Sequence, residues 1–384
     1  MSSLDHIILF LFLFLFIPIW GKYNCHKKGN GYWISAILPI LLLSIIMGCR
    51  YWGADYLWYK YQFEHLNNIE VIEEQSSQPV FFGLNCLMNW LGFNYIGVFI
   101  TYSLIYFIGA FQLLKTYGKE SQYMYYFLVF AYIGFGTSII RQGISIGIVM
   151  FSIPFLDQKK YIKFGLWAIC ACMIHSATIL LVVIIVLFQK FVTITVKPIY
   201  PILFYLMIAF VYNPANMGFI ADTIQMLSFI NSKFQGYIDN SVIWFSEDAA
   251  QDKFTQSSLA IVLNSLFIVS FFYLGHLALK IRYNKRVTYM YNIVVIGYIL
   301  LRMFFNFELL RRIATPMTMF YPIPLGYALY ILLPLLKEKL ITATIKKKII
   351  FSISLIFLYL ALYWGRFLLQ SPDYYFVWNI NQQT

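Results

Sequence analysis

The sequence predicts an all-α, polytopic integral membrane protein with about 12 transmembrane helices, and three observations predict it. The 384 residues are 61% hydrophobic and only 11% charged, with mean hydropathy +0.71; a soluble domain carries about a quarter charged residues. Apolar runs of span length recur along the whole chain. The basic residues are not scattered but gather in alternate connections between those runs.

Taken in order, the spans fall at 4–20, 32–49, 94–114, 121–139, 142–156, 161–175, 177–190, 199–212, 258–279, 288–305, 313–336 and 349–366. Residues 4–20 lack a basic leader region and read as a first span rather than a cleaved signal. Alternate connections (21–31, 115–120, 157–160, 191–198, 280–287 and 337–348), with the span ends beside them, hold 19 of the 28 Lys and Arg but only three acids, Glu120, Asp157 and Glu338. That side carries net +16 and the other net −4, the pattern of a lysine-rich cytoplasmic face. Both termini then lie outside, and residues 1–384 read as a single transmembrane domain. Two larger outer pieces interrupt it, 50–92 and 213–257. The aromatic share of 20% suits interfacial belts and lipid-facing surfaces. The +12 net charge is explained by this topology, so no nucleic-acid partner is implied.

The kind of base differs between the faces. Inside, 17 of 19 are lysine; outside, six of nine are arginine: Arg50, Arg141, Arg302, Arg311, Arg312 and Arg366. Lysine suffices as a topological charge, whereas the guanidinium fork matches carboxylate or phosphate. Snorkelling at span ends is the plain alternative. The stretch from Ile139 to Ser176 is a membrane hairpin turned at Asp157-Gln158-Lys159-Lys160, so Arg141 and Gln142 meet His175 at the outer face. A hairpin-turn histidine bonded to backbone is the plain reading of His175; a general base is the functional one.

Gly48 to Tyr59 crowds aromatics with Arg50 and Asp55, and 60–78 is polar and acidic, the pattern of a solvated loop. Residues 79–92 are apolar but too short to cross, with Asn85 and Asn89 on one face, and predict an interfacial or re-entrant helix. In 213–257, Met217, Ile220, Ile224, Leu227 and Phe234 recur at helical spacing and predict an amphipathic surface helix. Further on, Glu308 pairs by helical spacing with Arg311 or Arg312. The next span contains Pro316, Pro322, Pro324 and Pro334, which break its backbone ladder and mark a bent span beside a cavity. The five cysteines show no metal spacing. Cys49 and Cys86 leave a disulfide and two free thiols open.

The candidate site residues Arg50, Asp55, Arg141, Gln142, His175, Glu308, Arg311 and Arg312 thus gather at the outer face, and mid-depth is nearly empty of ionisable groups apart from Arg302 and His276. That argues against an ion-coupled transporter, which carries acids or a proton relay near the midplane. It favours chemistry at the outer surface on a substrate with an anionic head group and a membrane-bound tail. If a diphosphate leaves there, the arginines would have to neutralise its charge in place of a bound cation.

The chain resembles the Wzy/EpsG family of bacterial polysaccharide polymerases. The resemblance rests on Arg50-Tyr51-x-Gly53-x-Asp55-Tyr56-x-x-Tyr59, the Pro79 stretch, Arg141-Gln142-Gly143-Ile144-Ser145, Lys159-Lys160, His175-Ser176-Ala177, and Arg311/Arg312 with Tyr321, in that order over residues 45–330. Two positions depart from it: Gln78 stands where a Glu is frequent before the proline, and Ser145 where Ala is frequent. The resemblance implies a fold like the GT-C-type membrane glycosyltransferases. It implies transfer of a growing glycan from undecaprenyl diphosphate onto a new lipid-linked repeat unit, at the periplasmic face of the bacterial inner membrane. On this reading Arg50, Arg141, Arg311 and Arg312 hold the diphosphate and His175, with Asp55 second, takes the proton. Gln142, Tyr51, Tyr56, Tyr59, Glu308 and Tyr321 contact substrate. No cofactor or metal is implied. Membrane lipid surrounds the substrate, and a chain-length regulator and a flippase stand as candidate partners. Two alternatives remain: an O-antigen ligase-like transferase, which shares the arginine chemistry, and a flippase or transporter for lipid-linked oligosaccharide.

Overall fold

The computed structural model describes residues 2–49, 56–136, 140–212, 257–305, 308–338 and 342–370. Among these residues the elements are helices: α1 (Ser2–Asn24), α2 (Gly29–Gly48), α3 (Tyr56–Glu64), α4 (Ile69–Ser76), α5 (Pro79–Trp90), α6 (Tyr95–Lys115), α7 (Met124–Gly136), α8 (Ile140–Asp157), α9 (Tyr161–Ile174), α10 (Thr178–Phe191), α11 (Ile199–Phe210), α12 (Ser258–Ile281), α13 (Lys285–Met303), α14 (Glu308–Thr318), α15 (Pro322–Leu335) and α16 (Ala343–Gln370). Segments Gly29–Gly48, Tyr95–Lys115, Ile140–Asp157, Ser258–Ile281 and Leu310–Leu335 are long and apolar enough to cross a bilayer. Helices α9, α10 and α11 are apolar but only 14, 14 and 12 residues long, roughly 18–21 Å against a hydrocarbon core of about 30 Å.

α8 lies at the centre. Nearly all its side chains are buried, including Gln142, Ser145 and Ser152. It crosses α6 where two glycines meet: a Cβ on Gly109 would lie 1.8 Å from the Gly147 carbonyl oxygen, and one on Gly147 would lie 2.5 Å from the Tyr106 Cα. Only hydrogen at both positions permits so close an approach, the usual way membrane helices gain packing where lipid supplies no hydrophobic drive.

Two differences from the sequence reading have physical causes. The 60–78 stretch is helical, not a loop: Asn68 caps α4 by accepting from the Glu70 amide at 3.0 Å, and Val71 and Gln75 are buried. Many tyrosines are core residues rather than an interfacial belt. Tyr32, Tyr125, Tyr289, Tyr291 and Tyr327 are fully buried, and their hydroxyls reach partners inside the bundle, as in Tyr32–Tyr125 at 2.7 Å and Tyr291 to the Phe272 carbonyl at 2.8 Å. A phenol facing lipid would have no such partner. The proline-rich span is broken, as its sequence predicts: α14 ends at Thr318 and α15 begins at Pro322.

Five of the six lysine-rich connections come together at one end of the bundle. Asp157 pairs with Arg286 at 3.3 Å and accepts from Tyr289 at 3.1 Å. Glu120 pairs with Arg282 at 3.0 Å and accepts from Asn284 at 2.9 Å. Lys115 donates to the Gly29 carbonyl at 3.4 Å, and Thr195 and His276 bond at 3.0 Å. Arg141, at the other end of α8, stands about 24 Å away along the helix.

Candidate active site

Arg141 and Gln142 occupy the first turn of α8, and each is tied to a different part of the chain. Arg141 Nε donates to the Tyr59 hydroxyl at 2.9 Å and its Nη1 to Gln78 Oε1 at 3.2 Å. The guanidinium also lies over the Tyr59 and Phe81 rings, 5.3 and 5.8 Å from their centroids. These partners are all neutral, and among the described residues no carboxylate pairs with Arg141. Its position is therefore fixed while no carboxylate among the described residues compensates its charge, an arrangement suited to an anion.

Gln142 Nε2 donates to the Arg312 carbonyl at 2.5 Å, which joins α8 to α14; its Oε1 is buried without a partner. Ser145, one turn on, bonds Thr178 at 2.8 Å and so ties α8 to the start of α10. Between them runs the three-residue link from α9 to α10, which begins with His175. Its Nε2 is buried and has no hydrogen-bond partner among the described residues. Burial foremost, then the Arg141 and Arg312 guanidiniums, push the His175 pKa down to about 4. The imidazole is thus neutral at neutral pH, with an unengaged nitrogen beside two arginines. The plain reading of this histidine, bonded to backbone through its ring, does not describe Nε2.

A second pair of arginines stands nearby in the chain. Arg302, at the end of α13, donates to the Ala209 carbonyl at 3.0 Å. Arg302 and Arg311 both lie over the Phe305 ring, at 5.6 and 5.3 Å. The sequence counted Arg302 among the outer arginines and noted it near mid-depth; its pairing with Arg311 through one phenyl ring had no signal in spacing.

The remaining predicted site residues divide. Tyr59 is buried and holds Arg141. Tyr56 is also buried, its ring packed on Phe99 and Tyr95 of α6 at 4.9 and 6.3 Å. Tyr321 lies in the break between α14 and α15 with Phe127 and Phe267 as ring neighbours, and its hydroxyl donates to the Phe127 carbonyl at 3.4 Å. Arg50, Tyr51 and Asp55 lie outside the described residues, as do the Glu308 side chain and the amphipathic segment beginning at 213. Asn85 is buried while Asn89 is exposed, so the two asparagines of α5 do not share an environment. The five cysteines are free thiols.

Fold and site together define a polytopic α-helical membrane protein with a cationic, histidine-bearing cluster at the end of the bundle opposite its lysine-rich connections. The chain belongs to the EpsG family, which it matches over residues 33–380. Membership suggests a polysaccharide polymerase-type, glycosyltransferase-like function on a lipid-linked oligosaccharide. No curated protein and no solved structure matches the chain.

Proposed function

We propose that this protein is a polysaccharide repeat-unit polymerase of the bacterial inner membrane, with twelve spans, both termini outside and its site facing the periplasm. It transfers a growing glycan from undecaprenyl diphosphate onto the non-reducing end of a new lipid-linked repeat unit. The observation that carries this reading is the convergence of Arg141 on α8, Arg312 on α14 and the unengaged His175 nitrogen from the α9–α10 link, in a chain of the EpsG family.

In the reaction, the bond between the anomeric carbon and the diphosphate oxygen breaks, and its electron pair leaves with the diphosphate. The acceptor hydroxyl oxygen bonds the anomeric carbon, and its proton passes to His175 Nε2, with Asp55 as second candidate. Arg141, Arg311 and Arg312, with Arg50, hold the charge that develops on the leaving group. Gln142 fixes the Arg312 backbone and leaves its Oε1 for a substrate hydroxyl.

The low basicity of the buried His175 fits this sequence of events. Burial is its first cause and the field of Arg141 and Arg312 its second; a diphosphate bound at the two arginines offsets that second part and makes the imidazole a better base when substrate is present. Deprotonation is thereby coupled to occupancy.

The test is turnover of purified protein with synthetic lipid-linked repeat units. Polymer and free polyprenyl diphosphate appear together if the reading is right. An Arg311→Lys variant, which keeps charge but loses the fork, inserts normally and makes much less polymer. Release of lipid-linked units across a vesicle with no new glycosidic bond would instead establish a transporter.

A further inference from the structure

Hydrogen bonds fix the level of both ends of the short helix α10. At its start, Thr178 bonds Ser145 at 2.8 Å. Ser145 lies twelve residues before Asp157 on α8, about 18 Å along the helix, and Asp157 pairs with Arg286 at the lysine-rich end. Beyond the other end of α10, the connection 192–198 turns inward. Thr195 bonds His276, five residues before the end of α12, and the Ile194 carbonyl accepts from Asn292, seven residues into α13. Those positions stand about 8 and 11 Å inside the lysine-rich end. With 14 residues, α10 is about 21 Å long. It fits between these levels only by leaning across the bundle, where it packs against α8, α9, α13 and α14.

Against a hydrocarbon core of about 30 Å, neither end of α10 reaches a face of the bilayer. Both ends are nonetheless polar and exposed: Ser176 in the outer link, Thr193 and Lys197 in the inner connection. Residues 192–197 form no helix or strand, and irregular backbone open to hydrocarbon has no water to bond. Between the two ends, Ile179, Leu180, Val183 and Leu187 present an exposed apolar side. A short apolar stretch with polar ends is accommodated when the bilayer thins to match it. The arginine site has the same need. Arg141 stands about 24 Å along α8 from Asp157, about 6 Å short of the outer hydrocarbon boundary, whereas the phosphate of a membrane lipid ordinarily sits outside that boundary.

We propose that α10 and the links at its two ends thin the bilayer locally, drawing phospholipid head groups inward to Ser176 from the outer leaflet and to Thr193 from the inner one. The outer depression brings lipid phosphates down to the level of Arg141 and His175. That a lipid-linked diphosphate makes use of it rests on the polymerase reading; the depression itself does not.

The test is spin-label depth in the full-length protein, with exposed Cys86 and half-buried Cys170 and Cys172 replaced by alanine. Labels go on Ser176→Cys and Thr193→Cys, with Ile179→Cys, exposed at the start of α10, as a second outer variant. The control is Leu41→Cys. Leu41 is exposed on α2, twelve residues beyond Gly29, and so stands about 18 Å from the lysine-rich end, level with the outer link. The protein is reconstituted in phosphatidylcholine vesicles that carry a nickel-chelating lipid in both leaflets. The expected result is that lipid-held nickel relaxes the labels at 176 and 193 while oxygen, which concentrates in hydrocarbon, hardly does; the label at 41 shows the reverse. Labels at 176 and 193 that respond like the one at 41 lie in hydrocarbon, and the proposal is overturned. A label at 176 reached by a soluble nickel chelate but not by lipid-held nickel sits in an aqueous opening walled off from lipid, which also overturns it. If lipid-held nickel reaches 176 but not 193, the α9–α10 hairpin has shifted outward as a body and the bilayer is not thinned. Turnover of lipid-linked units by the unlabelled protein is read separately. A depression without turnover keeps this inference and removes the polymerase reading; turnover without a depression does the opposite.

Discussion

Arg141→Lys separates charge from geometry at the centre of the site. The arginine makes two directed bonds, to Tyr59 at 2.9 Å and Gln78 at 3.2 Å, and stacks on Tyr59 and Phe81. A hydrogen bond to a charged group contributes about 1.5–3 kcal/mol and a guanidinium–ring contact about 0.5–2 kcal/mol. Lysine, a point charge on a flexible stem, reaches one of the two oxygens at a time and stacks less well. The loss is then about 2–3 kcal/mol of positioning, which corresponds to a fall of about 30- to 150-fold in the polymerisation rate. The assay is initial-rate polymer formation by purified protein, with membrane insertion checked by expression level. Gln78→Leu, which removes one of the two fixed acceptors, falls partway, and Gln78→Glu retains an acceptor and stays within about tenfold of wild type. An Arg141→Lys rate within about threefold of wild type would refute the argument that a held fork, rather than a positive charge, is required.

Three other outcomes follow from the structure. The folded protein keeps His175 unprotonated down to about pH 4, whereas an unfolded imidazole binds a proton below about 6.5. Stability therefore falls as pH drops from about 6.5 to about 4 and is insensitive to this group above that window; thermal unfolding at several pH values shows the slope, and His175→Gln lacks its share of it. Gly147→Val drives a side chain into the Tyr106 backbone, and little folded protein reaches the membrane, measured by fluorescence-detected size exclusion; normal yield would contradict the close crossing of α6 and α8. Arg286→Ala leaves the Asp157 carboxylate, only 4% exposed, without its cation. The cost is about 1–3 kcal/mol, below that of a fully buried pair because the Arg286 side chain is 39% exposed, and it appears as a lowered melting temperature that Asp157→Asn in the same chain partly restores.

Apolar run length and the lysine distribution located the helices, because both obey rules that act on each segment alone. The hairpin argument also brought Arg141 and His175 to one end, and the Asp157–Arg286 and Glu120–Arg282 pairs gather the lysine-rich connections at the other. What spacing did not reveal depends on contacts across the chain. The acidic 60–78 stretch folds into helices because Gln62, Val71 and Gln75 are covered by neighbours that composition does not name. The tyrosines expected to contact substrate differ in kind: Tyr59 orients an arginine, and Tyr321 packs in the core. Gln78 stood out only as a departure from a family pattern, yet its carbonyl is one of the two groups that hold Arg141.

The central claim is that this chain joins repeat units. It is tested most directly by a gel of surface glycolipid from the native host with the gene deleted and then restored. The account predicts that deletion leaves lipid capped with a single repeat unit and that restoration brings back the ladder of longer chains. If deletion leaves no repeat unit attached at all, export or attachment is the missing step, and the polymerase reading is contradicted.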